Sequence, residues 1–562
     1  MATDEIQLNY KAATVLSNSD YLGVKNIQFY NPIYNNFFIL NENNNNEISL
    51  NQPYDILSVI KKFTYNTYLC LVKKNNETTT KEVFIKFAPI VDPIKYMVGK
   101  YNFDENLFKL PEFNNKNVNN KIQDTNNCAY TDGFFVYLTS KLLEKFNFIN
   151  GTTFYNSYLA NHENMKINIY EDIDFLNESD EFHKNKKIHF NVDESFYDEL
   201  SNYDSKDNKK KINITDTDEE LCLNILDVSC DLIQETQIIN MENLPDISLN
   251  DIIITDKSSV HSSISGSSCS SRTSYTNSGD EDENSDNESE CSEESYESSE
   301  EEEEEEEQEI FAYIKDFPVN LIFMEKCVST LDSYMSKNDI EEGEWESILL
   351  QVIFTLITYQ KVFDFTHNDL HTNNIMYVDT YKQYIYYGFN GKTYKVPTYG
   401  KVWKIIDFGR AIYKFKGKTM FSDSFSPEGD AATQFNCEPY FNKEKKIVNP
   451  NKSFDLCRFG CSLFDYFIDN ITMIKEREEC DNLQSLILEW CSDDSDKNVL
   501  YKNNGEERYP EFKLYKMITR SVHNHIPEKQ LERIMFDKYK VSKKKLNKKT
   551  KIINIDKFPV CV

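Results

Sequence analysis

Apolar residues fall into short runs near the start of the chain and into longer helical stripes further on. The runs YDILSVIKKF (54–63), TYLCLVKK (67–74) and KEVFIKFA (81–88) read as strands, and TDGFFVYLTSKLLEKF (131–146) reads as a helix. A further strand is predicted at VNLIFMEK (319–326). After it, Leu349, Val352, Ile353, Leu356, Tyr359 and Phe363 recur at helical spacing and predict a helix over 344–363. Leu456, Phe459, Leu463, Phe464 and Phe467 predict another over about 454–468. The pattern is that of an α+β chain, with a small strand-rich unit, a long insert and a larger helical unit. The insert falls between a helix and a strand of the small unit.

The insert carries most of the charge asymmetry. Residues 258–279 are Ser-rich, and 279–309 hold 19 Asp or Glu and no Lys or Arg. Such a tract buries too little apolar area to offset a chain entropy of roughly 1–2 kcal/mol per residue, so 258–309 is predicted to be a disordered spacer. Ser285, Ser292, Ser298 and Ser299 within it resemble targets of acid-directed kinases. CLNILDVSCDLI (222–233) and DISLNDIII (246–254) are apolar enough to pack, which predicts partial order over 163–257. The run 537–551 is basic; it fits a solvated tail, a site for anionic partners, or a segment folded back on the acidic insert.

Charge and cysteine content narrow the function classes. The 93 acidic residues against 62 Lys plus Arg give a net charge of −31, which disfavours a whole-chain nucleic-acid binder. The 13 Cys form no CxxC pair, so neither a disulfide framework nor a paired-Cys zinc site is indicated. The first residues lack a signal-peptide layout, and the longest apolar stretch, 348–359, is too short and too polar to span a bilayer. The expectation is a monomeric cytoplasmic protein with no membrane or nucleic-acid partner.

Two motifs carry chemistry. HNDLHTNN (367–374) follows the helix at 344–363, and VWKIIDFGRA (402–411) lies downstream. Phosphoryl transfer needs a carboxylate to orient the attacking hydroxyl and accept its proton. It also needs a second carboxylate and an amide oxygen to hold the metal ions that neutralise the phosphates. Hard oxygen ligands of this kind suit Mg²⁺.

HNDLHTNN resembles the H-R-D-L-K-x-x-N catalytic loop of eukaryotic-type protein kinases, and IIDFG resembles their metal-binding loop. The resemblance implies a bilobal protein-kinase-like fold, a small β-rich N-lobe and a larger helical C-lobe, acting on ATP with Mg²⁺. It implies that Asp369 is the catalytic base and that Asn374 and Asp407 are metal ligands. VFIK (83–86) matches V-A-I-K, which makes Lys86 the phosphate-binding lysine. LIFMEKC (321–327) matches the strand leading into the hinge, with backbone groups near Glu325 to Cys327 meeting the adenine and Met324 lining the back of the pocket. SFDLCRFG (453–460) resembles a D-x-W-S-x-G helix start, so Asp455 either holds the catalytic loop or simply caps its own helix. CEPYF (437–441) is a loose match to the end of the activation segment.

The sequence also departs from the family. KKFTYNTY (61–68) replaces the Gly-rich loop without a single Gly, leaving Lys61, Lys62, Thr64 and Thr67 to compensate. Asn368 stands in place of Arg, which implies no phosphate-reading switch. His371 stands in place of Lys, either touching the γ phosphate or packing in the loop. This HxDLHxxN form also occurs in haspin-like, choline and aminoglycoside kinases. Asn374 and Asp407 are separated by an added β excursion at 384–400. Asp132 fits the acidic partner of Lys86 better than Glu144, although an Asp is shorter than the expected Glu. The Asn-, Lys-, Ile- and Tyr-rich composition and low Gly look like kinases of giant, mimivirus-like DNA viruses, implying host cytoplasm or virion; AT-rich protists share the same bias, so both origins stay open.

By this reading the chain divides into an N-terminal extension (1–49), the first part of the N-lobe (50–162), the acidic insertion (163–309), the last N-lobe strand and hinge (310–328), the C-lobe (329–535) and a basic tail (536–562). The expected function is Ser/Thr protein kinase. A pseudokinase scaffold, motivated by the missing glycines, and a small-molecule kinase of the choline or aminoglycoside type stay open. The acidic insertion and the tail are candidate docking segments for other proteins.

Overall fold

The computed structural model describes residues 5–193 and 309–562, apart from 76, 102, 104–105, 115–118, 475–476, 478–479 and 503. The predicted disorder of 258–309, but for residue 309 itself, the serines within it, and the apolar runs 222–233 and 246–254 lie outside the described residues. All described residues belong to one compact unit drawn from 1–193 and 266–562. The architecture is mixed α+β, with a β-rich N-terminal region followed by helices.

The three N-terminal apolar runs form strands, as their pattern predicts. With β1 at Val24–Gln28, they are β2 (Tyr54–Lys62), β3 (Thr67–Lys74) and β4 (Glu77–Pro89). The sheet continues through β5 (Phe154–Asn168), β6 (Phe190–Val192) and β7 (Phe311–Glu325). Its order is β1-β5-β7-β4-β3-β2, with β6 also paired to β7. Strand β5 runs through residue 162, where the sequence reading ends its first globular piece, and β1 belongs to the stretch read as an extension. The register sets Lys86 opposite Ile322 and Phe84 opposite Met324.

Helix α1 (Cys128–Phe146) packs on this sheet. Its first turn is capped by Asn127, whose side chain accepts from Ala129 N, and it ends at Asn147 in the left-handed region at φ 55°. It approaches the sheet closely at Gly133, where an added Cβ would meet Asn320 Nδ2 at 2.9 Å. Asn320 Nδ2 also donates to Ala129 O at 2.7 Å, fixing that approach.

Helix α2 (Glu342–Phe363) is buried almost all round. Its polar interruptions are satisfied within the core. Gln351 Oε1 accepts from Trp403 N at 3.0 Å, Thr355 Oγ1 donates to Gln351 O at 2.8 Å, and Thr358 Oγ1 donates to Phe354 O at 2.7 Å. Phe135 of α1 joins the two regions, with ring centroids 5.3 Å from Tyr359, 4.5 Å from Phe365, 4.6 Å from Phe408 and 4.6 Å from Tyr413. Aromatic pairs at such distances contribute ~0.5–1.5 kcal/mol each beyond their buried area. No helix among the described residues is long and apolar enough to cross a membrane.

Downstream, β8 (Ile375–Asp379) pairs with β11 (Lys401–Ile405). Between them β9 (Tyr384–Phe389) and β10 (Lys392–Pro397) form the predicted excursion as a hairpin. Helices α3 (Phe454–Phe467), α4 (Asn482–Trp490) and α5 (Phe512–Ser521) follow. The end of the basic tail packs into the fold. Strand β12 (Ile553–Asn554) runs parallel to β9, and Cys561 N donates to Val362 O at 2.8 Å. The lysines at 543–545 within the basic run are exposed, whereas Ile553, Ile555 and Phe558 beyond it are buried.

Candidate active site

Three sequence segments meet around Lys86. Strand β4 delivers its ammonium between two carboxylates, 2.8 Å from Asp132 Oδ2 and 2.8 Å from Asp407 Oδ1. Asp132 comes from the first turns of α1, and the close approach at Gly133 lets the shorter acid reach the lysine directly. Glu144 instead pairs with Lys141 at the far end of the helix. The second oxygen of Asp132 accepts from Phe408 N at 3.0 Å, so one carboxylate ties both the lysine and the loop after Asp407 to α1. Burial raises the Asp132 pKa despite the neighbouring ammonium. For Asp407 burial pushes the same way, but Lys86 outweighs it and holds the carboxyl below the usual range. Asp407 has φ 60°, a left-handed conformation uncommon for a non-glycine residue and one met at functional sites.

The loop from His367 to Asn374 is held from beneath by Asp455. Its carboxylate accepts from His367 N at 3.0 and 2.9 Å and from Asn368 N at 2.9 Å. It therefore holds the loop, the first of the two roles open for it in the sequence. Burial raises its pKa against these donors. His367 Nε2 lies 2.9 Å from Ile406 O, and because a carbonyl only accepts, that nitrogen carries the proton. Asn368 adopts φ 66° and donates to Arg410 O at 2.9 Å. Ile406 N donates to Asn374 O at 3.0 Å, which sets the strand leading to Asp407 beside the loop.

Asn374 Nδ2 donates to Asp369 O at 2.9 Å and lies 3.0 Å from His371 Nε2. With its nitrogen held on that side, the amide presents its oxygen away from the loop. His371 is turned to Asn374, and burial lowers its pKa, so it sits there as a neutral acceptor. Asp369 is buried, and its Oδ1 accepts from Tyr515 Oη at 2.9 Å. Arg410 Nη1 lies 3.9 Å from the same oxygen, while Arg410 Nη2 pairs with Asp430 at 2.7 Å.

The remaining predicted residues lie at the end of β7, just beyond it, and in the hairpin between β2 and β3. Met324 is buried opposite Phe84 and Phe154. Glu325 turns its side chain away, accepting from Thr153 N at 2.7 Å and Lys404 Nζ at 2.7 Å. Cys327 is buried, which pushes its thiol pKa up to about 12. In the Gly-free hairpin, Thr64 Oγ1 accepts from Thr67 N at 3.0 Å, and the Lys62 ammonium lies 5.3 Å from the Tyr65 ring centroid. Burial lowers the Lys62 pKa. Asn66 pins the turn to β4 by exchanging bonds with Ile85, each 2.8 Å. Among the described residues no group of three or more His, Cys, Asp or Glu side chains could hold a metal by itself.

Sequence reasoning missed Tyr515, Arg458 and Arg410. Arg458 lies inside the motif around Asp455 and Arg410 directly follows the DFG, so both were within reach of a closer reading. Tyr515 carries no local signal.

No protein-family model matches the chain. A stretch of 106 residues is 26% identical to the uncharacterized protein ZK177.2 of Caenorhabditis elegans, covering 17% of this chain and 36% of that protein. A stretch of 105 residues is 31% identical to the serine/threonine-protein kinase haspin of Mus musculus, covering 18% of this chain and 14% of haspin. The matches thus span about a third and about a seventh of these relatives. The haspin match is partial and weak, and it hints at a protein-kinase relationship.

Proposed function

We propose that the chain is a protein kinase that transfers the γ-phosphate of ATP to Ser or Thr hydroxyls of protein substrates. The observation that carries this reading is the Lys86 ammonium shared at 2.8 Å by Asp132 and Asp407, beside a loop bearing Asp369 and Asn374. In this reading the seven-stranded sheet region is the small lobe of a bilobal fold and the helical region the large one. Lys86 binds the α and β phosphates, and the backbone from Glu325 to Cys327 receives the adenine, with Met324 behind it. Asp369 orients the acceptor hydroxyl and takes its proton. The Asp407 carboxylate and the Asn374 amide oxygen fit Mg²⁺, a hard cation usually held by one or two carboxylates together with substrate phosphates. When bound, it neutralises charge on the phosphates.

A second reading, a pseudokinase that binds partners without turnover, is favoured by the hairpin at 61–67. It has no Gly, so side chains crowd the close backbone approach that a phosphate needs. Transfer of radiolabelled phosphate from ATP to casein, wild type against Asp369→Ala, tests the kinase reading. Transfer by the wild type and its loss in the variant are expected; equal transfer by both refutes the assignment. No thermal shift with Mg·ATP and no transfer would leave the scaffold reading. Transfer to choline or an aminoglycoside but not to casein would make it a small-molecule kinase.

A further inference from the structure

Helix α5 reaches the loop through the hydroxyl of Tyr515. Tyr515 is buried, its ring packed 5.6 Å from Phe512 and 6.2 Å from Phe454 between centroids. Its oxygen has two neighbours, Arg458 Nε at 3.0 Å and Asp369 Oδ1 at 2.9 Å. A guanidinium can only donate, and a phenol has one proton. The direction of both bonds is therefore fixed: Arg458 donates to the Tyr515 oxygen, and Tyr515 donates to Asp369. A hydroxyl that accepts from a cation is a stronger donor in turn, so the chain is charge-assisted along its length. The Arg458 guanidinium also lies over the Tyr515 ring, 5.2 Å from its centroid, which holds both side chains in one arrangement.

We propose that Tyr515, backed by Arg458, is a positioning residue for Asp369. The inference rests on the kinase reading of Asp369 given above. The Tyr515 hydroxyl occupies Oδ1 and fixes the carboxylate rotamer. Among the described residues no hydrogen bond reaches Oδ2, so that oxygen is the one presented to an acceptor hydroxyl. Arg458 acts through the phenol. Its positive charge reaches the carboxylate through the phenol at Oδ1, the oxygen that Arg410 Nη1 also approaches at 3.9 Å, which leaves Oδ2 clear for the acceptor.

The test is steady-state phosphate transfer to casein by full-length wild type, Tyr515→Phe, Arg458→Met, the double variant and Asp369→Asn, with thermal unfolding of each. Phe keeps the ring and its packing and removes only the hydroxyl. The expected result for Tyr515→Phe is a fall in kcat of roughly tenfold or more, as for a lost bond to a charged group, with KM for ATP and the unfolding midpoint unchanged. The double variant is expected to lose no more than Tyr515→Phe alone, because Arg458 works through the hydroxyl. Wild-type kcat in Tyr515→Phe, beside an inactive Asp369→Asn, overturns the inference and leaves the kinase reading standing. A rise in kcat also overturns it, showing that the hydroxyl caps the base. A fall explained by a lower unfolding midpoint together with a raised KM for ATP overturns it in favour of a structural role. Full activity in Asp369→Asn overturns the reading of Asp369 itself, and the inference with it.

Discussion

Lys86 and Asp132 are 46 residues apart in sequence and 2.8 Å apart in space, both buried. Removing one member of such a pair leaves the other charge without compensation, at a cost of about 3–5 kcal/mol. Lys86→Met should therefore lower stability by about that amount in urea denaturation and abolish ATP-dependent transfer. Adding Asp132→Asn removes the more deeply buried of the two stranded carboxylates while keeping an acceptor for Phe408 N, and leaves the partly exposed Asp407. The double variant should regain part of the stability and none of the activity.

Asp455 serves two loop N–H groups and is fully buried with them. Asp455→Ala leaves His367 N and Asn368 N unpaired in the core, where each lost partner costs ~1–3 kcal/mol. The variant should unfold at a lower denaturant concentration and transfer phosphate more slowly. Asp455→Asn, which keeps an acceptor, should lie between it and the wild type.

Acid should loosen the hairpin at 61–67 through His162. Its Nδ1 accepts from Asn164 N at 3.2 Å, so the neutral ring carries its proton on Nε2, 3.2 Å from the Tyr65 hydroxyl. Burial, with a smaller push from Lys62, lowers its pKa from 6.5 to about 4. The unfolded chain takes up a proton near pH 6.5, as an ordinary His does, and the folded chain does so only near pH 4. The stabilisation is thus fully present above pH 6.5 and is lost as pH falls toward about 4, amounting to about 3 kcal/mol. Urea midpoints measured across that window should drop in the wild type and drop less in His162→Gln.

The sequence patterns locate most elements because their apolar spacing is regular. Strand β5 escapes them because it buries Asn156, Asn161 and His162 among its apolar residues. Asn161 is tolerated through distant partners, its Nδ2 donating to the carbonyls of Phe108 and Asp316, while Asn156 and His162 also bond to Tyr158 and Asn164, two residues along. In the site, Lys86, Asp369, Asn374 and Asp407 are legible because each lies in a short contiguous motif. Asp132 is legible from distance along the chain alone, and its direct contact depends on Gly133, whose effect appears only when helix and sheet meet. Tyr515 lies 146 residues beyond Asp369 and has no local pattern to reveal it.

The basic tail should matter to stability rather than to charge alone. Truncation after residue 551 removes β12, the Cys561 N to Val362 O bond and the Ile555 O acceptor of Lys361, which lies 2.6 Å from its ammonium. The truncated chain should melt at a lower temperature than the wild type. Neutralising the exposed lysines at 543–545 with Gln should leave the melting temperature nearly unchanged.

Asp132 answers to two masters, the lysine of one strand and the amide of a loop nearly three hundred residues away. Losing either leaves half a buried carboxylate unanswered, so arrangements with only one partner docked are penalised. Helix α1 thereby behaves as an AND gate: the strand and the loop seat together or not at all, and the chain spends little time half-assembled.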